Sequence, residues 1–221
     1  KHVCSQGYAV VYLDFEQAVN ESQLEGIGLT EFLGENFFWY QPVTFSDAED
    51  IIEELEGEDD LAFIVFDSIK AMLPDKMRHK SVNDIQPGLH ARLVSNFLLK
   101  YKSVIRKQGL SLIYITQMRY KLNFRGRSKE EAAGGNAQKF YSDIRVRMGL
   151  KEKLERVEKT IEGEEKVPYG AHVGVWTIKN RYARPYIEAV MTILYGKGVS
   201  NISAYYRWLK KNGHITSPGA G

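Results

Sequence analysis

Residues 61–68 read LAFIVFDS: six apolar residues run without a break into an aspartate and a serine. A run this short, rich in β-branched and aromatic side chains and closed by polar ones, predicts a strand buried on both faces, as in a parallel sheet. Upstream, residues 9–13 (AVVYL) form a second such run, ending in Asp14-Phe15-Glu16. Between the two, residues 46–56 place Ala48, Ile51, Ile52 and Leu55 at helical spacing within an acidic, solvated face, with Ser46 as the expected N-cap. Downstream, residues 88–108 put Leu89, Leu93, Phe97 and Tyr101 at fourfold spacing, widened by Val94, Leu98 and Ile105, and lead into a third strand at 111–116. Strands separated by helices of this length predict an α/β domain with a mainly parallel, twisted sheet and helices on both faces.

The later segments 143–149, 173–179 and 187–194 are apolar or alternating, with no convincing helix between them, and are expected to extend the sheet antiparallel. Residues 151–166 are densely charged and read as an exposed hairpin or short helix with no chemistry assigned. A short helix is expected at 201–211, ending near Gly213. The whole is expected to fold as one unit, 1–213, followed by a tail at 214–221, and both ends read as cut.

Composition narrows the function classes. With 43% hydrophobic and 26% charged residues the chain reads as a soluble globular protein. The formal net charge of +2 is too small for a global basic field, so any nucleic-acid affinity must come from local clustering. Cys4 is the single cysteine, which excludes an internal disulfide and a cysteine metal cluster and fits a reducing compartment. No apolar run approaches membrane-span length, so no membrane partner is expected. The five histidines lie too far apart for ligand spacing.

Chemistry concentrates where strands end. In open α/β sheets ligands bind beyond the carboxyl ends of the strands, and here those ends carry Glu16, Asp67-Ser68 and Gln117. An apolar strand ending in Asp suits the water shell of Mg²⁺, a neighbouring Glu can polarise a water, and Gln117 can contact a γ-phosphate. Directly after Gln117, Arg119, Lys121, Arg125, Arg127 and Lys129 are interleaved with Tyr120 and Phe124, and Gly134-Gly135-Asn136 follows. Cations neutralise phosphates and flat rings stack on bases, so this segment suits a nucleic-acid strand. It has no apolar period and is expected to be a loop, disordered without DNA.

The pieces YLDFEQAV, FIVFDSIKAMLP, GLHARLVSNFLLK, YITQMRYK, GGNAQKFY, IKNRYARP and ILYGKGV together resemble the core of the bacterial RecA recombinase family. They occur in the family's order and rough spacing, and their divergence resembles phage-encoded members. The resemblance implies a RecA-type P-loop ATPase core that uses ATP and Mg²⁺, forms a helical filament on single-stranded DNA and exchanges strands with double-stranded DNA, in the cytoplasm of a bacterial cell or phage-infected host. By resemblance, Glu16 is the catalytic glutamate, Asp67 the aspartate that holds Mg²⁺ through water, with Ser68 beside it, and Gln117 the link from γ-phosphate to DNA. Residues 75–87 occupy the first DNA loop, followed by Gly88, Arg92 and Ser95. Arg119, Lys121, Phe124, Arg125, Arg127, Gly134, Gly135 and Asn136 belong to the second. Lys179 and Arg181 match cations that reach a neighbour's ATP; two apart on one strand, they are expected to share a face. Lys139 and Phe140 match a subunit interface.

Departures from the family pattern are equally plain. No GxxxxGK[ST] occurs anywhere in the chain, which reads as truncation ahead of Lys1. Asn20 and Gln23 stand where the family has an aspartate and a tyrosine near the adenine, so the resemblance gives Asn20 a nucleotide contact in altered form. Two other readings remain: a filament-modulating DNA-binding protein without hydrolysis, and another RecA-type ATPase such as a hexameric helicase.

Overall fold

The computed structural model describes residues 1–77, 88–122, 128–132, 137–160 and 163–216, with backbone alone at several of them. They fall into two compact units, Lys1–Tyr141 and Ser142–Gly221. No helix among the described residues is long and apolar enough to cross a membrane.

The first unit is built on four parallel strands. β1 (Ala9–Asp14) lies between β2 (Phe37–Tyr40) and β3 (Leu61–Asp67), and β4 (Ser111–Tyr114) flanks β3. The alternation of β1 decides what covers each face. Ala9, Val11 and Leu13 point into the main core with Phe45, Ala48 and Ile52 of α2 (Phe45–Glu54) and Val94, Phe97, Leu98 and Tyr101 of α3 (Leu89–Gln108). Val10 and Tyr12 point the other way, toward a smaller cluster containing Leu24 of α1 (Glu21–Ile27), Phe37 and Cys4. Helices therefore cover both faces, as the spacing of apolar residues predicts. Phe66, fully buried, stacks on Phe15 at 6.1 Å and meets Phe97 edge-on at 5.4 Å. Each such ring contributes about 1.5–3 kcal/mol of transfer free energy.

Three local expectations change. The α2 cap is Thr44 rather than Ser46: Thr44 Oγ1 accepts from the Asp47 N–H while the Asp47 carboxylate accepts from the Thr44 N–H, a reciprocal box that starts the helix earlier. The described part of the segment after Gln117 is strand rather than loop, because β5 (Met118–Leu122) pairs antiparallel with β6 (Ser128–Ala132). Neither β2 nor α1 is foreseen; at four and seven residues they are too short to show a period, and β2 exists because β1 offers it a ladder. α3 follows the sequence reading closely, entering at Gly88 and leaving at Gly109, whose φ of 79° and 70° favour glycine.

The second unit is an antiparallel sheet in the order β10-β9-β8-β7, a sheet of its own rather than a continuation of the parallel ladder. β7 (Ile144–Thr160) and β8 (Gly163–Asn180) form one long ribbon, so the described part of the charged stretch, 151–160 and 163–166, is strand. β9 (Glu188–Leu194) and β10 (Gly198–Val199) complete the sheet, and α5 (Asn201–Lys211) follows, capped by Ser200. α4 (Ala137–Tyr141) closes the first unit.

Candidate active site

β1 and β3 run parallel with Asp14 beside Asp67, so both chains end at the same level. The turn after β1 folds back over the end of β3: the N–H groups of Phe15 and Glu16 both donate to the Asp67 carbonyl, at 2.7 and 3.2 Å. Asp14, with no exposed surface, holds that turn by accepting from the Ala18 and Val19 N–H groups at 3.2 and 3.0 Å and from Gln41 Nε2 at 3.5 Å. Next to Glu16, Gln17 sits at φ 51°, in the left-handed region. β4 reaches the same level because the Ile115 N–H donates to the Phe66 carbonyl and the Ile69 N–H to the Ile115 carbonyl.

These constraints bring Glu16, Ser68 and Gln117 together. Ser68 Oγ, buried, donates to Glu16 Oε1 at 2.5 Å, and Gln117 Nε2 donates to the same oxygen at 3.3 Å. Glu16 itself is exposed. Beside it, the Tyr12 hydroxyl donates to Asp67 Oδ2 at 2.5 Å. Burial pushes the Tyr12 hydroxyl well above its usual pKa, with the Asp67 hydrogen bond and charge adding to it, so Tyr12 is a neutral donor at every working pH. Neither Tyr12 nor the anchoring role of Asp14 follows from the sequence reading. A hydroxyl on an otherwise apolar strand is the signal that points to Tyr12.

Not every expected contact gathers here. Asn20 caps α1: its side chain accepts from the Gln23 N–H, and Gln23 Oε1 accepts from the Asn20 N–H, both at 3.0 Å. Gly88, Arg92 and Ser95 lie one helical turn apart at the start of α3, with Arg92 exposed. Arg119 and Lys121 stand on β5 opposite Glu131 and Lys129 of β6. Phe124, Arg125, Arg127, Gly134, Gly135 and Asn136 lie outside the described residues, as does most of the expected first DNA loop. On α4, Lys139 is half-buried and Phe140 is 70% exposed.

The expectation for Lys179 and Arg181 needs correction. Lys179 is on β8, opposite Arg145, but the strand ends at Asn180 and Arg181 lies beyond it. There the Arg181 N–H donates to the Asp143 carbonyl and its Nη1 to Asp143 Oδ1 at 2.6 Å. The two cations therefore do not share a strand face. The reason is the turn that leaves β8, where Asn180 Oδ1 accepts from the N–H groups of Tyr182 and Ala183.

Comparison with known proteins places this geometry. The model of the RecA N-terminal domain matches residues 2–200. The chain belongs to that family. Protein RecA of Synechococcus elongatus is 30% identical over 218 residues, 99% of this chain and 58% of that protein. Protein RecA of Aquifex aeolicus is 31% identical over 215 residues, 97% of this chain and 59% of that protein. This RecA-family chain thus spans somewhat under two thirds of the length of the curated relatives it matches. Among solved structures, the RadB recombinase superposes with a TM-score of 0.54 over 89% of this chain and 80% of that one, at 17% identity, which shows a shared fold.

Proposed function

We propose that this chain is the core of a RecA-type recombinase, a DNA-dependent ATPase that assembles on single-stranded DNA and exchanges strands with a homologous duplex. One observation carries the reading. Glu16, Asp67-Ser68 and Gln117, remote in sequence, meet at the carboxyl ends of three adjacent parallel strands, and Gln117 leads directly into the ribbon that holds Arg119 and Lys121.

In this reading Glu16 accepts a proton from the water that attacks the γ-phosphorus, while ADP departs. Ser68 and Gln117 hold Oε1 and so aim the carboxylate. Gln117 also touches both the catalytic carboxylate and, through the chain, the DNA-facing ribbon, so a change at the phosphate is felt there. Among the described residues no three His, Cys, Asp or Glu side chains gather to hold a metal directly. A carboxylate beside a hydroxyl fits Mg²⁺ held through its water shell and the phosphates of ATP, and Asp67 with Ser68 has that chemistry. Lys179 and Arg181 serve a neighbour's ATP and Phe140 a neighbour's surface in the proposed filament. A head-to-tail contact of that kind propagates as an open helix.

A second reading is a DNA-binding RecA relative that forms filaments without hydrolysing ATP. One set of measurements decides. The intact gene product should hydrolyse ATP only with single-stranded DNA present, and Arg119→Ala should weaken DNA binding by about 1–3 kcal/mol while flattening its salt dependence. DNA binding with no ATP turnover selects the second reading. These 221 residues alone are expected to bind ATP weakly, because their sequence holds no GxxxxGK[ST] phosphate loop.

A further inference from the structure

Tyr12 is the one polar side chain between Ala9 and Leu13 of β1, and its neighbours explain its ring but not its hydroxyl. The ring packs against Phe37 at 6.3 Å, a contact that phenylalanine would make equally well. The hydroxyl instead crosses to the next strand and donates to Asp67 Oδ2 at 2.5 Å. The parallel register sets Tyr12 beside Val65, two residues before Asp67 on the same face, so the diagonal contact is fixed by the backbone.

An aspartate's terminal torsion is soft, so an unassisted carboxylate samples a broad range of orientations. A hydrogen bond to one oxygen narrows that freedom. A neutral donor does so without cancelling the charge, as a lysine or arginine in the same place would.

We propose that Tyr12 is a positioning residue for divalent-cation use: by holding Oδ2 it orients the Asp67 carboxylate and assigns Oδ1 to the water shell of a nucleotide-bound Mg²⁺. The inference rests on the nucleotide-hydrolysis reading above. Loss of an outer partner of this type raises the metal requirement by about tenfold.

The test uses the intact gene product and its Tyr12→Phe and Tyr12→Met variants, the second filling similar space should the first fold poorly. Binding of a fluorescent ATP analogue is titrated with Mg²⁺, and turnover is measured at saturating Mg²⁺. Both variants should need about tenfold more Mg²⁺ for half-maximal binding, with nucleotide affinity and turnover recovered once Mg²⁺ saturates. A Mg²⁺ requirement equal to wild type, in a protein whose Asp67→Asn variant does raise it, overturns the role of Tyr12 and leaves the site intact. A wild-type protein whose nucleotide binding ignores Mg²⁺ overturns the inference together with the reading beneath it. A variant that stays impaired at saturating Mg²⁺ points to structural damage and also counts against it.

Discussion

Ser68 and Glu16, 52 residues apart, are joined by a 2.5 Å hydrogen bond from a buried hydroxyl to an exposed carboxylate. The burial asymmetry matters, because a fixed donor sets the position of a group that is otherwise free to move in solvent. In the intact protein Ser68→Ala should lower turnover about tenfold while changing stability by no more than about 1 kcal/mol, since water can replace the lost donor at an exposed oxygen. Steady-state kinetics and a thermal melt on the same sample check this; equal losses of activity and stability would deny Ser68 an orienting role.

Glu16→Gln keeps size and hydrogen bonding but removes the basic oxygen. Turnover should fall by about 10²–10⁴, the usual contribution of a general base, while nucleotide binding persists. Equilibrium binding and turnover assays separate the two effects, and unchanged turnover would assign the base elsewhere.

Asp14 anchors the turn that carries Glu16, and it is fully buried. Asp14→Ala should cost about 1–3 kcal/mol because two amides in the turn lose their acceptor. Asp14→Asn, which retains one acceptor oxygen, should cost less. Denaturant midpoints of the two variants give the comparison.

Burial holds His90 below the ordinary imidazole pKa, by more than the nearby backbone of Ile69 and Met72 offsets. The folded protein keeps His90 neutral where the unfolded chain, titrating near about 6.5, takes up a proton. Protons then favour the unfolded state, and stability should decline as pH drops from about 7 toward 5. His90→Gln should show a shallower decline between those pH values. Parallel melting curves test it.

Phe66 contacts both Phe15 and Phe97 with no exposed surface. Phe66→Ala should cost about 3–5 kcal/mol, the range for emptying a large buried aromatic site. A loss below about 1 kcal/mol would mean that β3 is not the centre of the core.

Sequence alone determined whatever one element decides for itself. The apolar runs at β1, β3 and β4 and the fourfold spacing of Leu89, Leu93, Phe97 and Tyr101 are local periodicities, and each became the predicted strand or helix. The polar residues that close those runs marked Glu16, Asp67, Ser68 and Gln117. Tertiary structure decided what depends on pairing. β2 is a strand because β1 is beside it, and the described part of the charged stretch 151–166 is strand because β7 and β8 pair along almost their whole length. Arg181 leaves its strand for Asp143 because the backbone turns at Asn180. Tyr12 meets Asp67, and Asp14 secures the Glu16 turn, through register and burial, quantities that no single stretch of sequence contains.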